Sequence, residues 1–389
     1  MNWTKNTKLI KGIALLLGGL LFAAMLYYAN HDRPGYFTTR DSGVEYELAR
    51  VIEVLEDKTS VDSATEDILR GSMKLKVELL SGRYKGDVVE ITNYLSYQYN
   101  VVCKEGDRIS VRIDTSADNT YTVSVNNYDR TYLLSGMVIL FCLAVMIIGG
   151  KQGVKAIVGL IFTFISIIFL LVPLVLKGFS PIPTTVVIIA VTTVISFLLI
   201  GGIQSKTIAA FLGSMLGVIM AAVIALAAGK LCHVTGFQME DSESLVYIKF
   251  DTLLHVKGLF ISGVLIASIG AVMDIAMSVS SAVNELHVIT PSLTIKELFR
   301  SGMNIGRDAM GTMANTLILA FAGTSLNMII LIYSYGVSFT QLINTDFVAV
   351  EIIRSIAGSL GIVFTVPAVA FISAYCCVRN KRKGDRVAL

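Results

Sequence analysis

Asp274 lies inside an apolar stretch, residues 258–283, that is long enough to cross a membrane as a helix. A carboxylate in the hydrocarbon costs about 3 kcal/mol or more unless it meets a cavity or a partner. In that setting a carboxylate can carry a proton or bind a cation. Asp274 is therefore the strongest candidate for a functional group, and the alternative is a structural hydrogen bond to Asn315 or to a serine.

Small and polar residues recur every three or four positions around Asp274, a spacing that places them on one face of a helix. Such stripes let neighbouring helices approach closely and hydrogen-bond in a membrane. Besides Asp274, the candidate residues of this stripe are Gly270, Ser278, Ser281 and Glu285.

The next predicted span begins with Arg307 and Asp308, which fit an anchor at the cytoplasmic interface better than a catalytic pair. Asn315 follows on the same span. At 1.5 Å per residue, Asp274 and Asn315 each lie roughly 6–7 Å cytoplasmic of the midpoint of their helix, which makes a contact between them plausible.

Other chemistry has little support in the sequence. The four histidines are scattered, no CxxC or HExxH motif occurs, and no nucleophile–base pair or paired-aspartate motif is found. We therefore expect no enzyme activity, no metal and no cofactor. Cys103 and Cys232 could form one disulfide if both lie outside the cell.

The composition indicates that most of the chain lies in a membrane. It is 54% hydrophobic and 16% charged, whereas soluble domains contain about 25% charged residues. A polytopic α-helical membrane protein with about eight transmembrane helices is expected. The predicted spans cover residues 10–29, 132–150, 156–176, 183–203, 207–229, 258–283, 308–333 and 347–377.

The distribution of lysine and arginine predicts the orientation. These residues crowd the short loops on one side of the membrane and the C-terminal tail, so both termini should be cytoplasmic. The predicted domains are an N-terminal transmembrane anchor (1–30), an extracellular domain (31–131), a transmembrane domain of about seven helices (132–378) and a basic cytoplasmic tail (379–389).

The segment 31–131 is predicted to be a small all-β barrel of the OB or SH3-like type. Five runs alternate apolar and polar residues with period two, the pattern of half-buried strands. Residues 31–130 contain 18 acids and 13 bases, a net charge of −5. That acidic balance argues against nucleic acid as a partner.

Two local patterns add detail. The segments 148–152 and 200–204 both contain Ile-Gly-Gly and end in Gln, which suggests an internal repeat with a period of 52 residues. Between the sixth and seventh spans, residues 292–306 predict a helix along the inner membrane surface, capped by Ser292 or Thr294.

The runs 267–286 and 297–323 resemble the signature of the YibE/F family of bacterial multi-spanning membrane proteins. The likeness covers roughly residues 45–380, including the Leu-Leu-Ser-Gly-Arg-Tyr-Lys-Gly segment 79–86. The resemblance implies the bacterial plasma membrane, with the lipid bilayer and either a YibF-like protein or a second copy of the chain as partners. It implies no reaction. The order of the last spans is also similar to the closing half of SecF and related permeases, which use the proton gradient.

These features predict a permease or exporter component of the bacterial plasma membrane, coupled to protons or a cation through Asp274 and acting on an unidentified small solute or ion. The alternative is a scaffold or accessory subunit that transports nothing and whose outer β domain binds another envelope protein. A transporter needs a hydrated path to Asp274, whereas a scaffold can bury this residue in a dry interface.

Overall fold

The structure is a computed structural model of the chain. It describes residues 19–20, 22–31, 43–116, 118, 120–239, 242, 244–246 and 253–387, and side chains as far as residue 379. The chain forms two compact units, one of Asp32–Ala144 and one of Met1–His31 with Val145–Leu389. The two units are described separately.

The smaller unit contains one antiparallel sheet of five strands in the order β3-β2-β1-β4-β5. All five period-two runs of the sequence form strands in it. The strands are β1 (Val44–Asp62), β2 (Ile68–Leu79), β3 (Val88–Leu95), β4 (Arg108–Thr115) and β5 (Tyr121–Tyr128).

The sheet is curled into a half-barrel, and the closed barrel expected from the sequence is not confirmed. Alternate residues of the strands, among them Leu75 and Ile113, point into one buried core. The pairing of β1 with β2 shifts register near residues 52 and 55, and such bulges increase the local bend of a strand. The edge strands are linked by side chains, since the Tyr121 hydroxyl donates to Asp87 at 2.7 Å.

A long connection between β3 and β4 is fixed by buried polar contacts. Asn93 donates to the carbonyl of Val101 at 2.7 Å, and the Tyr128 hydroxyl bonds both the N–H and the carbonyl of Val102. Cys103 is buried here, and burial raises the pKa of its thiol to about 11. Cys103 and Cys232 are both free cysteines in the structure.

The larger unit is helical. Its described part includes helical residues 19–20 and 22–30 and the end of α1 (Thr131–Ser166), which continues through a π-helical turn (Ile167–Leu171) into α2 (Val172–Leu176). The remaining helices are α3 (Pro181–Gly201), α4 (Ser205–Leu231), α5 (Leu259–Ile289), α6 (Ile295–Thr324), α7 (Leu326–Ser334), α8 (Phe339–Ile343) and α9 (Asp346–Val387).

Glycines let the core helices α4 and α9 approach closely. A Cβ atom added at Gly213 would lie 2.1 Å from Val369, and one added at Gly217 would lie 1.8 Å from Thr365. Glycine interfaces of this kind are typical of membrane helices, where packing replaces the hydrophobic effect as the driving force for association.

The helical run α1 reverses direction at Gly150, which has φ 51° and ψ −132°. After the break, Gly153 packs so closely that an added Cβ atom would lie 2.1 Å from the carbonyl oxygen of Val145. Gly202, which is 52 residues later, also has a positive φ of 67° and ends α3. The two Gly-Gly segments of the sequence pattern thus share a turn conformation that only glycine adopts readily.

The prediction of a separate surface helix before the seventh span is wrong, because α6 runs without a break from Ile295 to Thr324. Its N-terminus has a capping box between Thr294 and Glu297, which confirms Thr294 as the cap. Gly302 and Gly306 do not end the helix because they pack against neighbouring side chains. The chain bends by 61° at Ser325 instead, where the Thr324 hydroxyl bonds the carbonyl of Phe321 at 2.8 Å.

Within the described residues, five helices are long and apolar enough to cross a membrane, or six if the bent pair α6–α7 is one span. The expected number of about eight is not confirmed. Half of the first predicted span, 10–29, lies outside the described residues.

Candidate functional site

Asp274 lies on the side of α5 that points away from the helical core. Its side chain is exposed on the single chain. Val283 packs against Gly302 of α6, and it lies nine residues from Asp274, which is about two and a half helical turns. The carboxylate and α6 are therefore on opposite sides of α5.

The other members of the stripe share this open side. Gly270, Ser278 and Glu285 are exposed, and Ser281 is half-buried. A Cβ atom added at Gly270 would meet no described atom within 4 Å. The stripe is thus an open strip that includes Asp274.

No hydrogen bond or ion pair joins Asp274 to another residue in the part of the chain that the structure describes. The helix that carries it is long and apolar enough to cross a membrane. Chemically, the strip presents two carboxylates, those of Asp274 and Glu285, to a proton, a cation or a partner, and neither forms an ion pair within the described residues.

The candidates on α6 form a second exposed strip. Arg307, Asp308 and Asn315 are all exposed, and Gly311 has open space around its Cα. Because α5 and α6 meet through Val283 and Gly302, the structure does not bring these residues together with Asp274.

Ser280, which sequence reasoning missed, is the serine that links helices. It is fully buried, donates to the carbonyl of Lys206 at 2.6 Å and accepts from the hydroxyl of Ser373 at 3.1 Å. The signal for it was its position between Ala276 and Val283 on the buried apolar side of α5.

A second polar feature lies on α9. Arg354 donates to Glu351 at 2.8 Å, an ion pair between residues three positions apart on the helix. Arg354 also lies over the ring of Phe321 at 5.7 Å. Beside them is an apolar cleft of about 300 Å³ that includes Ser325 at the α6–α7 bend.

The described residues include no group of three or more His, Cys, Asp or Glu side chains that could hold a metal ion. Comparison with protein families identifies the chain. Residues 137–379 match YibE/F-like protein, and residues 44–128 match the YibE/F family N-terminal domain. The chain belongs to the YibE/F family.

The two YibE/F matches include the five-stranded sheet, both exposed strips and the core helices. No curated protein matches the chain, and no solved structure does. Family membership and the apolar helices identify a membrane protein, in contact with the lipid bilayer.

Proposed function

We propose that this YibE/F protein is a permease or exporter component of the bacterial plasma membrane, coupled to protons or a cation through Asp274. One observation carries the proposal. Asp274 lies on an open, small-residue side of an apolar helix and has no described partner. A carboxylate of this kind is costly in lipid and is usually found where protons or ions move.

A structural role fits Asp274 less well. Polar groups that hold membrane helices together are bonded across the helix contact, as Ser280 is to Lys206 and Ser373. Asp274 has no such contact within the described part of the chain, and it lies on the other side of α5 from Gly302. A free carboxylate can change its protonation state without breaking the fold.

The proposal includes eight membrane crossings, with both termini in the cytoplasm and the β domain outside. The stretch Thr131–Leu176 is 46 residues long. It would measure about 69 Å as a straight helix, more than twice the hydrocarbon thickness of about 30 Å. The reversal at Gly150 supports two crossings there.

The second candidate function is a scaffold or accessory subunit whose β domain binds another envelope protein. Exposed tyrosines near the end of β3 favour it. Tyr94, Tyr97 and Tyr99 are 50–74% exposed, and Arg70 lies 4.3 Å from the centre of the Tyr97 ring. Tyrosine and arginine are enriched at the centres of protein interfaces.

The test is ion flux through the purified protein in liposomes that contain either the pH dye pyranine or a sodium dye. We expect the wild-type protein to conduct one of these ions under an imposed membrane potential. Asp274→Asn should abolish this flux while the protein elutes as a single peak in detergent, because the amide keeps the shape of the side chain but cannot ionise. The matched control is Asp346→Asn at the start of α9, outside the strip.

Fluxes of both ions that are equal in the wild-type protein and in Asp274→Asn would contradict coupling through Asp274. Binding of another envelope protein to the β domain, without any ion flux through the wild-type protein, would favour the scaffold.

A further inference from the structure

A small cavity lies where α1, the π-helical turn, α3 and α5 meet. Its volume is about 10 Å³, which is close to the smallest volume that can hold one water molecule. The residues around it include Thr163, Ile167, Leu171, Thr185, Thr192 and Ile266.

Three threonines line this cavity, and their hydroxyl groups have complementary hydrogen-bonding needs. Thr163 donates to the carbonyl of Gly159 at 2.9 Å, and Thr192 donates to that of Ile189 at 3.0 Å. A hydroxyl has one donor and two acceptor positions, so both oxygens can still accept. Thr185 is fully buried, and its hydroxyl has no partner among the described residues.

We propose that this cavity is the binding site of one ordered water molecule. The water accepts a hydrogen bond from Thr185 and donates to Thr163 and Thr192. It thereby satisfies the unpaired donor, and it makes the three bonds that are typical of a buried water.

The same residues argue against a cation in the cavity. The described residues that line it include no carboxylate, and apart from the threonines they are isoleucine and leucine side chains. A charge in such surroundings has a large desolvation cost that three neutral hydroxyls do not offset. Water needs no countercharge.

The site has a structural consequence at the π-helical turn. Ile167 and Leu171, the first and last residues of that turn, line the cavity. Helices depart from regular α geometry where a water enters next to the hydrogen-bond ladder. The bound water would thus hold the irregular turn against α3. The site is separate from the Asp274 strip and does not depend on the proposed function.

Replacement of Thr185 by valine should change the melting temperature in opposite directions for a hydrated hydroxyl and for a dry one. Valine has the shape of threonine without the hydroxyl. If a water is bound, Thr185→Val removes one of its partners and should lower the melting temperature of the full chain in detergent by about 2–4 °C. If the hydroxyl is unpaired and dry, the substitution should raise the melting temperature, and that result would overturn the proposal.

Thr184→Val is the matched control. Thr184 is the neighbouring residue, but it is only half-buried and its hydroxyl already donates to the carbonyl of Ser180 at 2.7 Å. We expect little change from it. Thr185→Ser, which keeps the donor, should retain most of the wild-type stability. A sodium ion in place of the water would make the wild-type protein more stable in NaCl than in choline chloride. If this difference is observed and Thr185→Val abolishes it, the proposal of a water is overturned.

A density map that resolves ordered waters gives an independent readout on the wild-type protein. A peak within hydrogen-bond distance of the Thr185 hydroxyl supports the proposal, and a cavity without density contradicts it.

Discussion

Asp274 and Ser280 are six residues apart on α5 and lie in opposite environments. Ser280 is buried and bonded to two other helices, whereas Asp274 is exposed and has no described partner. A buried, bonded hydroxyl contributes to stability. An unbonded carboxylate on a membrane helix destabilises the protein in the bilayer, so such residues are usually functional. The same helix therefore carries a structural polar group on one side and the functional candidate on the other.

This contrast predicts different effects of two serine substitutions. Ser280→Ala should destabilise the protein by about 1–2 kcal/mol, because the carbonyl of Lys206 and the hydroxyl of Ser373 lose a buried partner. Ser278→Ala, on the exposed strip, should leave stability nearly unchanged. Thermal unfolding of the two variants side by side checks this, and equal losses would contradict the assignment of the two faces.

At the residue scale, the sequence could predict which residues share the Asp274 strip, since a spacing of three and four defines one face of a helix. It could not predict which face is buried. That depends on the contacts of Gly302 with Val283 and of Gly358 near Ser268, which join residues distant in sequence. The functional role of the candidate residues stays a prediction.

At the element scale, close helix contacts depend on glycines whose neighbours are far away in the chain. Gly217 of α4 lies against Thr365 and against the carbonyl of Gly361 on α9. Gly311 of α6 has no described atom within 4 Å of the position of an added Cβ. Gly217 thus permits close packing of α4 against α9, whereas Gly311 of α6 has no described neighbour that an added Cβ would meet.

Alanine substitutions at these glycines should have opposite signs. Gly217→Ala should destabilise the protein by about 1–3 kcal/mol through overpacking against α9. Gly311→Ala should stabilise α6 by up to about 1 kcal/mol, because alanine is the better helix former. Denaturation of both variants in the same detergent measures the difference. A stabilising Gly217→Ala would contradict the close α4–α9 contact.

Sequence patterns predicted where the long helices and the five strands lie, because apolar length and period two are local signals. The break at Ser325 and the continuity of α6 through Gly306 were missed. The close fit of Gly306 against Val366 is a tertiary contact between residues far apart in the chain, and local sequence patterns do not reveal it. The curled, open form of the sheet likewise depends on bulges and on Tyr121, not on alternation alone.

At the scale of the whole molecule, charge asymmetry predicts how the chain is oriented. Residues 31–130 are acidic and the C-terminal tail is basic, and basic segments of multi-spanning proteins stay in the cytoplasm. Together with an even number of crossings, this predicts a β domain outside the cell and both termini inside.

Cysteine labelling of intact cells tests that orientation. In a chain whose exposed Cys232 is replaced by serine, a membrane-impermeant thiol reagent should label Ser60→Cys in the β domain. It should label Lys383→Cys in the tail only after the cells are made permeable. Labelling of position 383 in intact cells would contradict the topology.

The central claim is that Asp274 faces a hydrated path and not lipid or a dry contact. The most direct measurement is the reactivity of Asp274→Cys, in a chain without its five natural cysteines, towards a water-soluble thiol reagent in open membranes. Leu319→Cys is the control, because Leu319 is an exposed apolar residue of α6. We predict rapid reaction at position 274 and slow reaction at position 319. If the cysteine at position 274 reacts only with a lipid-soluble reagent, as the cysteine at position 319 should, the claim is contradicted.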